Sequence, residues 1–159
     1  MKNSGFTIVE LLVAITLFSV IVAIATGTFI QALRTQRGAA GLIAANSNAS
    51  LAIEQISREI RTGRAFSLSG GVLNFTNAKE QAVSYRLNNE SIERIVGGEA
   101  GIITAANAKV AKLNFILAGE SSTDGLPTKI TVILEIGAPE AAGAKINLQT
   151  TVSSRILEG

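Results

Sequence analysis

The chain has 159 residues, a formal net charge of +2, and no cysteine, histidine or tryptophan. Without histidine and cysteine, Ser-His-Asp and Cys-His catalytic arrangements and ordinary zinc sites are excluded. The lysines and arginines form no cluster interleaved with aromatic residues, so no nucleic-acid partner is indicated. Asp124 is the single aspartate and the glutamates are scattered. We therefore predict a protein that is not an enzyme and has no cofactor or metal site.

The first predicted element is an apolar helix near the N-terminus. Residues 11–30 include no charged side chain, and at about 1.5 Å per residue they form a helix of about 30 Å. This length matches the hydrocarbon core of a bilayer, so the run predicts a transmembrane segment. Glu10 lies just inside the apolar stretch that opens at Phe6. A carboxylate there needs either a position at the helix N-terminus or a cationic partner.

The residues around Glu10 form a specific motif. Gly5-Phe6-Thr7-Ile8-Val9-Glu10-Leu11-Leu12, behind a short leader with Lys2, resembles the N-terminus of type IV prepilins and type II secretion pseudopilins. The resemblance implies that a prepilin peptidase cleaves between Gly5 and Phe6 and that the new amino group of Phe6 is N-methylated. It also implies that Glu10 helps to add the subunit to a growing filament. The ammonium of Phe6, in the same chain or a neighbouring one, would be the cation that Glu10 requires.

The resemblance also implies a location and partners. It predicts a single-pass subunit of the cytoplasmic (inner) membrane, with its N-terminus inside and its globular domain periplasmic or extracellular. The partners would be other pilins or pseudopilins in a hetero-oligomeric filament and the prepilin peptidase that also methylates the subunit. The charges alone leave the orientation open, because Lys2 and the initial amine nearly balance Arg34 and Arg37.

An ordinary secretory signal peptide is the alternative interpretation of the same segment. Ala23-Ile24-Ala25 fits an A-x-A cleavage site after an apolar region, which would release or anchor a β-rich binding domain that begins at Thr26. Glu10 inside the apolar region, Lys2 as the one charged leader side chain, and apolar residues beyond Ala25 argue against it. A glutamate-dependent hydrolase is a more distant third hypothesis.

Residues 31–62 have the pattern of an amphipathic helix that ends at Gly63. Its apolar positions recur at helical spacing on one face: Leu42, Ala45, Ala49, Ile53, Ile56 and Ile60. Gly27 allows either a bend or a close helix–helix approach. The weak helix formers between residues 38 and 48 allow a break in the helix.

After Gly63 the period of the apolar residues changes to two, as in half-buried strands. We predict five or six antiparallel strands with one face packed on the amphipathic helix, an α+β, pilin-like fold. The alternating runs cover residues 73–75, 83–87, 91–95, 111–117, 130–136 and 146–152. Ser69-Gly70-Gly71 and Asn88-Asn89 are predicted turns. Gly97, Gly98 and Gly101 suggest a flexible link, with a turn at Gly97 and Gly98.

These elements divide the chain into four segments. They are a leader over residues 1–5, a transmembrane and filament-core helix over 6–30, an amphipathic helix over 31–63 and a β-rich globular domain over 64–159. Glu120 and Asp124 lie in a loop, and some pseudopilins bind calcium in a C-terminal loop. The two acids lack the dense spacing of a dedicated calcium site, so a polar turn is the favoured interpretation.

A looser resemblance concerns the kind of subunit. The runs that are similar to minor pilins and J-type minor pseudopilins are Leu51-Ala52-Ile53-Glu54-Gln55-Ile56-Ser57-Arg58-Glu59-Ile60-Arg61, Leu73-Asn74-Phe75, Val83-Ser84-Tyr85-Arg86-Leu87 and Ile92-Glu93-Arg94. They imply a minor subunit at or near a filament tip. Glu10 argues against the tip pseudopilin type that lacks this acid. Secretion, motility, adhesion and DNA uptake stay open as roles of the filament.

Overall fold

The computed structural model describes residue 5 and residues 7–119, 127–141 and 143–155. The chain forms two compact units, residues 1–37 and residues 38–159. Helix α1, Ile8–Thr62, supplies the regular structure of the first unit and continues into the second. The second unit also contains all the described strands.

Helix α1 is continuous, so the break considered between residues 38 and 48 does not occur. Its glycines there serve close packing. A Cβ at Gly38 would lie 3.2 Å from the carbonyl oxygen of Glu140, and one at Gly41 would lie 3.0 Å from Cβ of Ala138. Packing contacts of this kind outweigh the weak intrinsic helix propensity of glycine, which amounts to about 1 kcal/mol per residue.

The second part of α1 buries the face that its sequence predicts. The buried residues are Ala45, Ala49, Ala52, Ile56 and Ile60, with Leu42 and Ile53 partly buried beside them. The small alanines bring the helix backbone close to the strands, while the isoleucines fill the space near its C-terminal end. The helix stops where predicted, with the N–H of Gly63 donating to the carbonyl of Ile60 at 3.2 Å.

The strands form two antiparallel sheets. The large sheet has the order β1-β2-β3-β4-β5 and the small sheet has the order β6-β7-β8. The strand bounds are β1 Arg64–Ser69, β2 Val72–Thr76, β3 Ala82–Asn88, β4 Ser91–Val96, β5 Glu99–Ile102, β6 Lys109–Ala118, β7 Lys129–Gly137 and β8 Lys145–Ser153. A short 3₁₀-helix, Pro139–Ala141, lies between β7 and β8. The α+β, pilin-like architecture with a long helix packed on antiparallel strands is therefore confirmed.

The number of strands was predicted wrongly, because the described residues hold eight rather than five or six. The two missed strands are β1 and β5. Both are edge strands with little burial: β5 is short and has no apolar alternation, and β1 alternates only at Phe66 and Leu68. The predicted flexible link is also wrong, whereas the predicted turn at Gly97 and Gly98 is confirmed. Gly97 and Gly98 form the turn between β4 and β5, and Gly101 pairs with Arg94 within the sheet.

The predicted hairpin is confirmed, although its turn lies one residue later than the predicted Asn88-Asn89. Strand β3 ends at Asn88 and β4 begins at Ser91. The two turn residues, Asn89 and Glu90, have φ of 47° and 58°, as a two-residue hairpin turn requires. The backbone carbonyl of Glu90 accepts a hydrogen bond from the N–H of Val110 at 2.8 Å, which ties this turn to the start of the small sheet.

A polar junction joins α1 to the large sheet. The carboxylate of Glu59 on α1 accepts hydrogen bonds from the guanidinium of Arg94 and from the hydroxyl of Tyr85. Three turns closer to the N-terminus of the helix, Oδ1 of Asn48 accepts a hydrogen bond from the N–H of Ala105 at 3.1 Å. These bonds fix the helix against the strands in addition to the apolar core.

Candidate functional site

Glu10, the predicted assembly residue, lies in the first turn of α1, where it forms a reciprocal cap with Thr7. Oε2 of Glu10 accepts hydrogen bonds from the backbone N–H of Thr7 at 2.9 Å and from its hydroxyl at 3.0 Å. In return, the backbone N–H of Glu10 donates to the hydroxyl oxygen of Thr7 at 3.2 Å. This arrangement is a capping box, in which side chains satisfy backbone donors that the helix start would otherwise leave unpaired.

The cap leaves half of the Glu10 carboxylate available. Oε2 is engaged by Thr7, whereas Oε1 accepts no hydrogen bond from any residue that the structure describes. The side chain is exposed, and its negative charge lies at the helix end where the backbone dipole favours an anion. Chemically, this oxygen can accept a hydrogen bond from an external cation without disturbing the cap.

The helix surface that follows Glu10 is apolar and uncovered. The large apolar side chains between Ile8 and Leu33 have exposed fractions from 80% to 36%. Within the described residues, α1 is long and apolar enough to cross a membrane, and its apolar window is wholly exposed. Exposed apolar area of this extent marks a surface that lipid or other protein covers.

The hydroxyl groups of this apolar helix hydrogen bond to backbone carbonyls of the same helix. Thr16, Ser19, Thr26 and Thr28 each donate to the carbonyl four residues earlier, at distances from 2.8 to 3.1 Å. Such bonds satisfy the hydroxyl inside a single helix, as an apolar environment requires.

The other predicted site residues are placed as follows. Gly5 is exposed, and a Cβ there would meet no atom within 4 Å. Phe6, the predicted methylation site, lies outside the described residues. Glu120 and Asp124, in the loop compared with a calcium site, also lie outside them. Within the described ranges no three acidic side chains come together as a metal site would require. The absence of a metal site therefore stays a prediction.

The role of Thr7 was missed in the sequence, although its signal is present. Thr7-Ile8-Val9-Glu10 fits the pattern [ST]-x-x-[DE] before an apolar run, which is typical of a capping box. The junction of Glu59, Arg94 and Tyr85 was missed as well. No sequence pattern could reveal it, because its members lie 26 and 35 residues apart on different elements.

Comparison with known proteins agrees with the geometry of this segment. Residues 1–26 match the family model described as the prokaryotic N-terminal methylation motif. The matched stretch contains Gly5, Phe6, Thr7 and Glu10 and most of the charge-free run. No curated protein and no solved structure matches the chain significantly. The motif and the exposed apolar helix together support a type IV pilin-like protein with a transmembrane helix, a structural rather than an enzymatic class.

Proposed function

We propose that the chain is the precursor of a filament subunit, a pilin or pseudopilin, that is cleaved between Gly5 and Phe6 and N-methylated at Phe6. The support is the methylation motif over residues 1–26 together with the exposure of Gly5. We retain the four predicted segments as functional parts: residues 1–5, 6–30, 31–63 and 64–159.

The observation that carries the proposal is the position of Glu10. It is an exposed carboxylate at the start of a charge-free, uncovered apolar helix, with one oxygen held by Thr7 and the other open to a cation. Cleavage generates an ammonium at Phe6, and the same group of a neighbouring subunit is equally suitable as a partner. Paired in this way, Glu10 is tolerated in an apolar filament core, where a lone carboxylate would be costly.

The subunit is a minor pilin or minor pseudopilin that acts at or near a filament tip. This part of the proposal depends on the looser resemblance across residues 51–94, while the presence of Glu10 argues against the tip pseudopilin type that lacks this acid. Its partners are other pilin-like subunits and the prepilin peptidase, and it spans the inner membrane once, with the N-terminus in the cytoplasm. Packing of apolar helices in lipid gains little from water exclusion, so the polar residues at the helix start determine the register.

Mass spectrometry of the chain purified from its native membrane tests the proposal. We expect a mature protein that begins at a methylated Phe6. A chain that begins at Thr26 would instead establish the secreted or anchored binding domain. The variant Gly5→Val is expected to stay uncleaved, whereas the matched glycine variant Gly27→Ala, also in open surroundings, is expected to be processed normally.

A further inference from the structure

A positive patch follows the apolar part of α1. Arg34 and Arg37 are the only charged residues between Glu10 and Glu54, and both are exposed on the helix. They are three residues apart, so their Cα atoms are separated by about 4.5 Å along the helix axis and by about 60° around it. Their guanidinium groups can therefore reach neighbouring ligands on the same side of the helix.

The patch lies at the level where a bilayer would end. From Glu10 to Arg34 the helix rises about 36 Å, slightly more than the hydrocarbon thickness of about 30 Å. With the apolar run centred in the bilayer, Glu10 and Arg34 each lie about 3 Å outside the hydrocarbon core, and Arg37 lies about 4.5 Å further out. Helical side chains lean toward the N-terminus, which here directs both arginines back toward the bilayer. Both guanidinium groups therefore reach the headgroup layer, which is roughly 5–7 Å thick.

The helix surface around the patch has the polarity of a headgroup layer. Gln31 and Gln36 are exposed beside the arginines, and the hydroxyl of Thr35 donates to the carbonyl of Gln31 at 3.1 Å. A guanidinium binds a phosphate through two parallel hydrogen bonds. The apolar stem of an arginine can lie along a helix while its charged end reaches the interface. This part of α1 therefore suits phosphate ligands at the depth of the headgroups.

The described part of the chain supplies no counter-ion to the patch. Neither arginine forms an ion pair with an acid that the structure describes. Glu140 is the acid to compare, because its Oε2 would lie 3.3 Å from a Cβ at Gly41, which follows Arg37 by about one turn of α1. No ion pair joins Glu140 to Arg37, so both arginines are open to an anion from outside the chain.

We propose that Arg34 and Arg37 bind the phosphate groups of anionic phospholipids in the leaflet opposite the N-terminus. A zwitterionic headgroup carries its own cation, which competes with the guanidinium for the phosphate, so anionic lipids are favoured. Two bound headgroups would hold α1 at a fixed depth, and they would have to be released when the subunit leaves the bilayer. The proposal rests on the membrane span of the proposed function, but not on cleavage, methylation or filament assembly.

Fluorescence quenching by brominated lipids tests the proposal on the full chain. The chain has no tryptophan, so Ile30→Trp, at an exposed position about one turn before Arg34, supplies a single indole probe. The protein is reconstituted in phosphatidylcholine vesicles that contain increasing fractions of brominated phosphatidylglycerol or of brominated phosphatidylcholine. Bromine quenches the indole only at short range, so the two curves give the relative association constants of the two lipids beside the arginines. We expect phosphatidylglycerol to associate about fivefold more strongly.

Three double variants in the same probe background identify the residues responsible. Arg34→Gln with Arg37→Gln is expected to abolish the preference, because both guanidinium groups are lost. Arg58→Gln with Arg61→Gln is the matched control, since it removes the same charge from the last two turns of α1, and it is expected to keep the preference unchanged. Arg34→Lys with Arg37→Lys keeps the charge without the two-pronged hydrogen bonding, so an intermediate preference is expected.

Equal association of the two lipids with the unchanged chain, or the same preference in both glutamine pairs, would overturn the proposal. Equal association that turns into a preference for phosphatidylglycerol on Glu140→Gln would also overturn it, because Glu140 would then be the counter-ion. The membrane span is measured separately by the same data. Equal quenching by both lipids would leave the span established, whereas no quenching by either lipid would refute the span and the lipid site together.

Discussion

The guanidinium of Arg94 holds the carboxylate of Glu59 through two hydrogen bonds, from Nη2 to Oε1 at 2.6 Å and from Nε to Oε2 at 3.1 Å. Arg94 lies on β4 and Glu59 lies in the last turn of α1, so the pair connects the helix to the large sheet. The hydrogen bond from Arg94 to Glu59 raises the pKa of Arg94. Fork-like pairing of this kind is stronger and more specific than a single charged contact.

Loss of the Arg94 charge is expected to destabilise the globular domain. The side chains of Arg94 and Glu59 are only 26% and 21% exposed, so Arg94→Met would leave a largely enclosed carboxylate short of donors. We expect a loss of about 2 kcal/mol in the free energy of unfolding. The exposed pair of Arg58 and Glu54 provides the control, since Arg58→Met is expected to cost less than about 0.5 kcal/mol. Denaturant titration followed by circular dichroism measures both, and equal losses would contradict the prediction.

Tyr85 gives a direct spectroscopic test of the same junction. Burial raises the pKa of its phenol above the ordinary value of 10.0, and the neighbouring Glu59 carboxylate raises it further. The folded state thus favours the neutral phenol. The buried neutral phenol of Tyr85 therefore contributes fully to stability below pH 10. This contribution declines as the pH rises above 10, because the phenol of the unfolded chain then ionises.

The measurement is an absorbance titration, which is unambiguous because Tyr85 is the only tyrosine and the chain has no tryptophan. We expect no phenolate signal at a pH about one unit above the ordinary value while the domain stays folded. Glu59→Gln is expected to lower the titration midpoint, because it removes the nearby negative charge. An unfolded control titrates near 10, and identical curves for the folded and unfolded chains would refute the assignment.

Glu93 makes the domain sensitive to acid. Hydrogen bonds from Arg86 and Asn88 hold the pKa of the Glu93 carboxyl below its ordinary value of 4.5. A lowered pKa stabilises the folded state at pH values above 4.5, and this contribution disappears as the pH falls through the folded value. We expect the stability of Glu93→Gln to depend less steeply on pH below 4.5 than that of the unchanged chain. Parallel profiles in thermal denaturation at several pH values would contradict this.

Gly63 is expected to tolerate no side chain. A Cβ there would lie 2.7 Å from Cδ2 of Phe75 and 3.0 Å from the carbonyl oxygen of Glu59. Gly63→Ala therefore forces the helix end and the aromatic ring apart, at a cost of about 1–3 kcal/mol. Gly101→Ala is the matched control, because a Cβ at Gly101 meets nothing within 4 Å. Denaturant titration of both variants is expected to show the larger loss in free energy of unfolding for Gly63→Ala, and equal losses would contradict the prediction.

Glu10 is expected to act through its charge rather than through its cap. Glu10→Gln keeps an acceptor for Thr7, since glutamine also serves in a capping box, but it removes the negative charge. We expect both Glu10→Gln and Glu10→Ala to insert and be cleaved yet to enter filaments poorly. Thr7→Ser retains the hydroxyl and is expected to assemble normally. Quantitative blotting of sheared filaments against membranes gives the readout, and normal incorporation of Glu10→Gln would show that only the cap matters.

The parts of the fold that are repetitive in sequence could be predicted. Alanines and isoleucines at helical spacing identified the buried face of α1, and alternation identified the six half-buried strands. Strands β1 and β5 were not predicted, because a strand at a sheet edge is stabilised by pairing with its neighbour rather than by burial of its own residues. Continuity of α1 through residues 38–48 depended on contacts with residues 138–141, about a hundred positions away, which local propensity does not contain.

Of the candidate site, the sequence indicated Gly5 and Glu10 but neither the role of Thr7 nor the geometry. The spacing of Gly5 and Glu10 before a charge-free run indicated the motif that the family model also matches. The sequence does not show that Oε2 of Glu10 accepts hydrogen bonds from Thr7 while Oε1 is left for another donor. This depends on the side-chain rotamer of Glu10. The same holds for β8, whose sequence alternates like that of any strand. Its position at the border of the small sheet follows only from its pairing with β7.

The hydroxyls of Thr16, Ser19, Thr26 and Thr28, each satisfied by a carbonyl of its own helix, have a mechanical consequence. Neighbouring helices of this kind hold one another by dispersion contacts alone along the charge-free stretch, and such contacts re-form after a shift of one turn. Under tensile load, sliding of such helices would therefore break one kind of directional contact, the ion pair proposed for Glu10, and re-formation of that pair would restore the rest length when the pull ceases.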